Sequence, residues 1–301
     1  MTLGEHPEIK EIESESLERC LNDIEGICAV SETFDYYQFQ HTVTKITDLY
    51  QKLLDTSFPR VKYLIERFRE LGFNIQLQEF LFEHSGTNGT NAVFKNPNAD
   101  PDSKTFYIVA HHDYINGKGA SDNASSMAAM LELARFVITT KLNVVFVSFD
   151  CEEINLNGSR YYVNSLSPEE LAKIDGVICL ECLGGSKDIV LPTKNLGAIC
   201  DKYLIELIMN IANRLGYRLS SFKCPIFHSD HVSFSKMGVP AIEICDVDAI
   251  EFLKHPYSSS HLYNNTQSIV HHPTDLPENL NTENIRRTLE IMLEFLRDHS
   301  K

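Results

Sequence analysis

Short apolar runs alternate along this chain with stretches in which apolar residues recur every three or four positions. Four of the runs have the length of a strand, at residues 106–110, 143–149, 177–180 and 241–245. The three-or-four spacing places apolar side chains on one face of a helix. Strands that alternate with helices predict an α/β fold, a three-layer α/β/α sandwich around a mixed, mostly parallel sheet.

Helical patterns fill the N-terminal part of the chain and the gaps between the apolar runs. Residues 1–57 are acidic and helical in pattern, and Pro59 interrupts the pattern before it resumes at 61–71 and ends at Gly72. Further helices are predicted at 125–139, 160–166, 201–215 and 282–298. We therefore expect a helical N-terminal segment, residues 1–57, that packs on a main domain of residues 58–301.

Two further segments have strand patterns, and one long segment has none. Residues 74–82 alternate apolar and polar side chains, as in a half-exposed strand. A turn-rich link at 85–91 follows, and a second strand is predicted to begin at Asn91. Residues 246–270 are polar with scattered aromatic residues, and a loop of that length in a compact domain is usually functional or mobile.

Acidic residues and histidines follow each of the four apolar runs. They are His111, Asp113 and Asp122 after the first run, Glu152 and Glu153 after the second, Glu181 after the third, and His271 and Asp275 beyond the fourth. Ligand sites in open α/β sheets lie outside the carboxyl ends of the strands. One aspartate after a strand is often only a helix N-cap, but four such cases in one chain predict side chains that converge on one site.

Composition limits the classes of function. Hydrophobic content of 43% and charged content of 23% are ordinary for a soluble globular protein. The formal net charge of −15 argues against a nucleic acid or an anionic membrane as partner, because phosphate binding requires clustered Lys and Arg. No apolar run has the length of a membrane span, and the charged N-terminus lacks the apolar region of a secretory signal. We therefore expect a cytoplasmic protein.

The eight cysteines are expected to be reduced thiols, since disulfides are rare in proteins without an export signal. Cys179 and Cys182 form a C-x-x-C pair, but they flank Glu181 on an apolar strand and the chain has no second such pair. We interpret both as buried strand residues rather than as metal or redox cysteines.

Imidazole and carboxylate groups together suit zinc, and cobalt or manganese are also tolerated. The adjacent pair Glu152 and Glu153 fits this chemistry, because one glutamate can bind the metal while its neighbour takes a proton from metal-bound water. An isolated pair of glutamates is common on protein surfaces. This pair follows an apolar strand and precedes an N-x-G-S turn at residues 155–159, which favours a functional role.

Six motifs, taken together and in this order, resemble the M28 metallopeptidases, the di-zinc aminopeptidases and their relatives. The resemblance covers about residues 60–300 and leaves residues 1–57 unexplained. The matching segments are HHD (111–113), GASDNASS (119–126), CEE (151–153) with GS (158–159), VICLECLGG (177–185), HSDHVSF (228–234) with GVPAIEI (238–244), and HHPTDLPENL (271–280).

The resemblance implies two metal ions, with zinc as the expected metal. His111 and Glu181 would hold one ion, Glu153 and His271 would hold the other, and Asp122 would bridge them. Their neighbours His112 and His272 are less suitable as ligands, because the family's H-x-D motif and the spacing to the later aspartate favour His111 and His271.

Catalytic and orienting roles also follow from the resemblance. Glu152 would be the general base. Asp113 would orient His111, and Asp275 would do the same for His271. His228 and His231 are interpreted as loop residues, residues behind the ligands or substrate contacts.

Three positions depart from the family pattern. Glu181 stands where aspartate is usual, Ser126 replaces a glycine near a close-packed helix start, and Val270 replaces a tyrosine that stabilises the oxyanion in many members. The first change makes the ligand one methylene longer. The candidates for the oxyanion role are Tyr257, Tyr263, His231 and His261, and the sequence does not choose among them.

The function expected from these features is that of a zinc metallopeptidase, an exopeptidase of the aminopeptidase type that acts on a peptide or small amide. One alternative is an acyl transferase of the glutaminyl-cyclase type on the same fold with one metal, but its D-S-A-V-P-type helix start differs from DNASS here. The M20 amidohydrolases place the bridging aspartate much further beyond H-x-D. A non-catalytic binding protein would typically have lost ligands. The sequence leaves the oligomeric state, the native metal and the side-chain preference open.

Overall fold

A computed structural model describes residues 7–82, 87–225, 227–254 and 268–300 of the 301-residue chain. Its helices are α1 Pro7–Val30, α2 Tyr36–Gln40, α3 Ile46–Glu70, α4 Ser125–Val137, α5 Asn157–Ser165, α6 Pro168–Lys173, α7 Lys202–Arg214, α8 His231–Lys236, α9 Ala249–Lys254 and α10 Thr282–His299. Its strands are β1 Phe34–Asp35, β2 Asn74–Phe82, β3 Thr87–Lys95, β4 Thr105–His111, β5 Asn116–Gly117, β6 Val144–Phe149, β7 Ile174–Glu181, β8 Asp188–Asn195, β9 Ala198–Ile199, β10 Ser220–Lys223 and β11 Ala241–Val247.

Nine of the strands form one mixed sheet in the order β10-β8-β11-β7-β4-β6-β3-β2, with β9 paired to β8. The central strands β11, β7, β4 and β6 run parallel to one another. Every residue of β4, β6 and β11 is buried, because helices cover both faces of a parallel sheet. This burial is the reason that these strands read as continuous apolar runs.

Two layers of helices cover the sheet, which confirms the predicted three-layer α/β/α sandwich. Helices α1, α3, α4, α7 and α10 share one large apolar core with alternate strand residues such as Ile108. Helices α5, α6 and α8 lie on the opposite face, where Tyr162 and Phe234 pack against Val109. The alternation of Ile108 and Val109 between the two cores follows from the two-residue period of a strand.

Helix α3 is continuous, and the break expected at Pro59 is wrong. The helix runs from Ile46 to Glu70 with this proline inside it. A proline removes one helical hydrogen bond, but buried residues on both sides of it, Leu53 and Val61, hold the helix against the rest of the protein. The division predicted between residues 57 and 58 therefore falls inside one helix rather than between two elements.

Several local predictions differ from the structure. Residues 87–90, expected in a link, belong to β3, because they continue its antiparallel pairing with β2. Residues 246–247 extend β11 and residues 249–254 form α9, so the prediction of a loop is wrong for this part, and residues 255–267 lie outside the described residues. Strands β8, β9 and β10 and helix α6 were not predicted.

Each of the eight cysteines is a free thiol. Cys179 lies in β7 and is buried, as predicted, but Cys182 follows the strand with a φ of 50° and is only partly buried. The interpretation of Cys182 as a buried strand residue is therefore wrong. Within the described ranges, no helix combines the length and the apolar character needed to cross a membrane.

Phe68 offers a test of the packing between α3 and the sheet. Its side chain is fully buried and stacks on Phe94 of β3 with ring centroids 3.8 Å apart. Phe68→Ala should lower the free energy of unfolding by about 3–5 kcal/mol, measured by urea denaturation. Phe58→Ala on the same helix should change it by less than about 0.5 kcal/mol, because the Phe58 side chain is 60% exposed. Equal effects of the two changes would contradict the described packing of α3.

Candidate metal centre

Five side chains predicted as ligands meet at the carboxyl edge of the parallel strands. His111 ends β4 and Glu181 ends the neighbouring strand β7. Asp122 lies in the segment before α4, Glu153 follows β6, and His271 lies in the segment before α10. Strand pairing thus brings together residues that are far apart in the sequence.

The first group consists of His111, Asp122 and Glu181. The Nε2 atom of His111 lies 3.1 Å from Oδ1 of Asp122 and 3.2 Å from Oε1 of Glu181. All three residues are buried, and one potential ligand atom from each lies within 4.8 Å of the others. The longer side chain of Glu181 therefore still brings its carboxylate to the group.

The second group consists of Asp122, Glu153 and His271. The Nε2 atom of His271 lies 3.0 Å from Oδ2 of Asp122 and 3.2 Å from Oε2 of Glu153. Asp122 belongs to both groups and turns one carboxylate oxygen toward each histidine. This is the arrangement expected of a bridging ligand.

The donor set fits two metal ions. The Nε2 atoms of His111 and His271 each face two carboxylate oxygens. Because a ring nitrogen carries at most one proton, a hydrogen bond can account for only one of the two contacts. Ligands at about 2.0–2.2 Å from a tetrahedral zinc lie roughly 3.3–3.6 Å from one another, close to the observed separations of 3.0–3.2 Å. The groups combine imidazole with carboxylate, the ligand types that zinc accepts.

The acidity of these residues reflects burial and mutual charge. Burial alone would raise the pKa of Asp122, but hydrogen bonds from His111 and His271 lower it well below its usual range. Burial, followed by the negative charge of Asp122, raises the pKa of Glu153 to about 7. In the absence of a cation Glu153 therefore holds a proton near neutral pH, and a metal must displace that proton to bind.

Glu152 lies in the same cleft but belongs to neither ligand group of the described residues. Burial raises the pKa of Glu152 well above its usual range; His111 opposes this shift, and the negative charge of Glu181 adds to it. A raised pKa makes the Glu152 carboxylate a stronger base than an ordinary glutamate, as proton uptake from water requires. Its position and its acidity fit the general base predicted from the sequence.

The carboxylate of Asp113 contacts both the ligand His111 and the backbone of the glutamate pair. Its Oδ1 atom lies 3.2 Å from Nδ1 of His111, and its two oxygens accept the backbone N–H groups of Glu152 and Glu153, each at 3.1 Å. The contact with His111 is the predicted one. The contacts with the glutamate backbone were not predicted, and they couple the orientation of a ligand to that of the base.

In the contacts that the structure gives, Asp275 binds the backbone at the bridging ligand Asp122. Its carboxylate accepts the backbone N–H groups of Ser121 at 2.6 Å and Asp122 at 3.1 Å. These contacts with residues 121–122 were not predicted, and the predicted role of Asp275 beside His271 stays a prediction. Gly119 begins the same segment with a φ of 53°, where an added Cβ would lie 2.6 Å from the Asp122 carbonyl oxygen.

Backbone conformation near the ligands is unusual at several points. Cys151, Cys182 and His271 have φ values of 59°, 50° and 57°, in the left-handed region that costs free energy for residues other than glycine. The first two are at the ends of strands, where the chain turns sharply beside Glu152 and Glu181. The conformation of His271 is supported by Asn116, whose Nδ2 atom donates to the His271 carbonyl at 2.7 Å.

The remaining histidines separate into different environments. His112 is buried against Ser148 and Asp150, and His272 is exposed beside Thr274. His231 is buried 3.3 Å from Asn195 Oδ1, and it does not line the cleft. This position gives no support to the oxyanion role suggested for His231, which stays a prediction. Tyr257, His261 and Tyr263 lie outside the described residues.

A cleft of about 280 Å³ contains the site, and several of its lining residues were missed by the sequence analysis. Tyr36 and Tyr37 come from the N-terminal segment, and Glu243 comes from β11. No local signal marked the two tyrosines. Glu243 stands in an apolar strand, and an acidic residue inside such a run was the available signal.

Ser126 is fully buried at the start of α4, and its Oγ atom has no partner among the described residues.

Comparison with protein families gives one match over most of the chain. The family model of peptidase family M28 matches residues 91–296. Leupeptin-inactivating enzyme 1 of Streptomyces exfoliatus is 31% identical over 186 residues, 60% of this chain and 40% of that protein. Aminopeptidase YwaD of Bacillus subtilis is 32% identical over 138 residues, which are 44% of this chain and 30% of that protein. The chain thus spans less than half the length of these curated relatives.

Solved structures share the fold. BSAP, a zinc aminopeptidase from Bacillus subtilis, aligns with a TM-score of 0.60 and 23% identity over 72% of this chain and 51% of that chain. Porphyromonas gingivalis glutaminyl cyclase aligns with a TM-score of 0.67 and 17% identity, over 94% of this chain and 98% of that chain. At these identities the similarity establishes the three-layer fold and not the reaction.

Metal affinity should fall as the pH falls through about 7. The pKa of Glu153 is raised to about 7, so protons compete with the metal below that value and are released when the metal binds. Zinc titrations by calorimetry should show affinity at pH 6 at least about tenfold weaker than at pH 8, with proton release that depends on buffer ionisation enthalpy. Unchanged affinity from pH 8 to pH 5 would contradict this prediction.

Proposed function

Since the chain belongs to peptidase family M28, we propose that it is a zinc-dependent aminopeptidase that removes the N-terminal residue of peptides or small amides. One observation carries the proposal. Asp122 joins two ligand groups, and the Glu152 carboxyl group lies in the same cleft without belonging to either. Two cation positions with an adjacent base form the arrangement used by hydrolases that activate water.

Five residues would hold two divalent ions in this proposal. His111 and Glu181 would bind one ion, Glu153 and His271 the other, and Asp122 both. Bound zinc would polarise the scissile carbonyl and make water more acidic, as cobalt or manganese could also do. The count of two rests on the two groups that share Asp122.

Glu152 would move the proton in both halves of the reaction. Its carboxylate would take a proton from the attacking water and return it to the nitrogen of the leaving amine. Burial and the nearby negative charges raise its pKa, which would favour its uptake of a proton from the attacking water. Asp113 would keep the base in place through the backbone of residues 152–153.

The end of the cleft beside Glu181 suits a free amino terminus. There, Glu181 and Glu243 also line a smaller cavity of about 30 Å³, whose walls include the buried Asp246 and Val247. This volume holds a group about the size of a water molecule or an ammonium. Glu243 is 1% exposed, and burial followed by the charge of Glu181 raises its pKa to about 8, so an incoming ammonium would favour its ionised form.

Glutaminyl cyclisation is the second candidate, supported by the shared fold of the cyclase structure. A cyclase of this type was expected to use one metal and a different helix start, whereas this chain has two ligand groups. A non-catalytic binding protein is a third candidate. The presence of all five ligand side chains and of Glu152 in one cleft favours an enzyme.

Changes at the two adjacent glutamates should separate metal binding from proton transfer. Glu152→Gln should reduce kcat by at least about 10²-fold while zinc content is unchanged, because the base lies outside both ligand groups. Glu153→Gln should lower zinc content as well, because it removes a ligand. Zinc per chain is measured by atomic emission and kcat with an amino-acyl anilide. Equal zinc loss in both variants would refute this division of roles.

The reaction is tested with peptides whose amino terminus is free or blocked. Purified zinc-loaded protein should release the N-terminal residue of short peptides, and N-acetylation should abolish the release. A chelator should remove the activity and added zinc should restore it. Conversion of N-terminal glutamine to pyroglutamate without peptide hydrolysis would support the cyclase instead, and neither activity over a broad panel would support a binding protein.

Glu243→Gln should weaken binding of the free amino terminus specifically. Calorimetry should show that zinc-loaded wild-type protein binds leucine at least about tenfold more tightly than 4-methylpentanoate, which lacks the amine, and that the variant loses this preference. Asp230→Asn is a control, since Asp230 is a buried carboxyl near the site that does not line the cleft. Retention of the preference in Glu243→Gln would refute the assigned role.

A further inference from the structure

One wall of the cleft comes from outside the part of the chain that matches the family. Tyr36 and Tyr37 line the same cleft as the ligand groups and Glu152, whereas the family match begins at residue 91. Tyr36 is partly buried, and the Tyr37 side chain is 47% exposed. The two rings meet edge to face with centroids 5.6 Å apart. The N-terminal segment therefore contributes an aromatic surface to the site.

This aromatic wall is held by the segment that leads to the bridging ligand. Strand β1 pairs with β5, with Phe34 opposite Gly117 and Asp35 opposite Asn116. The backbone N–H of Tyr36 donates to the carbonyl of Ile115 at 2.8 Å. Asn116 in turn donates to the carbonyl of His271, so one short chain of contacts connects the tyrosines to a ligand.

The two tyrosines differ in how much of each ring is open to the cleft. Tyr36 packs in part against an apolar cluster that includes Phe34 and Ile115, whereas the Tyr37 side chain is 47% exposed. Ile115 and the exposed Asn155 line the cleft together with the tyrosines.

The two ends of the cleft differ in depth. The end beside Glu181 leads into the small cavity walled largely by buried residues. The end beside the tyrosines includes exposed side chains, Tyr37 and Asn155. A peptide cut after its first residue must place the terminus at a closed end and the rest of the chain toward an open one. In the proposed reaction the residue after the scissile bond would therefore lie on the tyrosine side.

We propose that Tyr36 and Tyr37 bind the second residue of the peptide substrate and select an aromatic or large apolar side chain at that position. The proposal rests on the aminopeptidase function proposed above. Aromatic rings recognise one another by edge-to-face or offset stacking and bury a large area of apolar surface. Tyr37 is the more exposed ring and makes the larger contribution to this selection.

The test compares two substrates that differ only after the scissile bond, leucyl-phenylalanine amide and leucyl-glycine amide. Wild-type zinc-loaded protein should have the lower KM for the phenylalanine substrate. Tyr37→Ala should raise that KM by about 3–10-fold, the range expected for loss of an aromatic pair, while kcat and the glycine substrate change little. Tyr37→Phe keeps the ring and should retain the preference.

Tyr161→Ala is the matched control. Tyr161 is 46% exposed, close to the value for Tyr37, but it lies on α5, stacks on Phe80 and does not line the cleft. It should leave the preference for the second residue unchanged. Equal changes for both substrates in Tyr37→Ala, or the same shift in Tyr161→Ala, would overturn the proposal and leave the aminopeptidase function standing.

A binding measurement separates the proposal from the proposed reaction. Reduced-amide analogues of the two substrates, which cannot be hydrolysed, are titrated into zinc-loaded protein by calorimetry. Tighter binding of the phenylalanine analogue that is lost in Tyr37→Ala supports the tyrosine site even if no peptide is cleaved, in which case only the aminopeptidase function fails. Wild-type protein that neither cleaves the substrates nor prefers the phenylalanine analogue overturns both.

Discussion

The sharing of one carboxylate by two imidazoles is the constraint on which the rest of this structure depends. Asp122 turns one oxygen to His111 and the other to His271, while Glu181 and Glu153 approach the same histidines. Three carboxylates in so small a buried volume repel one another, and burial penalises each charge. Divalent cations would relieve both costs, and no lysine or arginine lines the cleft among the described residues to do so.

The scaffold meets this constraint with backbone contacts rather than with additional charges. Asp113 accepts the N–H groups of residues 152–153, and Asp275 accepts those of residues 121–122. Each of these aspartates binds the backbone of a segment that is distant from it in the sequence, and so fixes that segment beside a ligand. A left-handed turn at Cys151 after β6 precedes Glu152 and Glu153 of the cleft, and a second one at Cys182 directly follows Glu181. The positions of the ligands are thus determined by hydrogen bonds and strand ends together.

The N-terminal helices are part of the site's support and not an appendage. Lys118 donates to the carbonyl groups of Cys28 and Ser31, each at 2.9 Å. Arg60 on α3 is fully buried and donates to the carbonyl of Gly119 at 2.9 Å. Both contacts reach the segment that carries Asp122. The part of the chain outside the family match therefore stabilises the conformation of the bridging ligand and supplies one wall of the cleft.

The sequence by itself predicted the fold class from local patterns, and its resemblance to the M28 metallopeptidases named the five side chains that the fold brings together. Apolar runs of strand length predict a buried parallel sheet, and polar residues at their ends must lie at one edge. Pairing across the sheet decided the rest. Tyr36 lines the cleft because the two-residue strand β1 pairs with β5, which lies about eighty residues later in the chain. His231 lies outside the cleft lining, on α8, which packs against β11. Such choices depend on contacts between distant residues, for which a local pattern holds no signal.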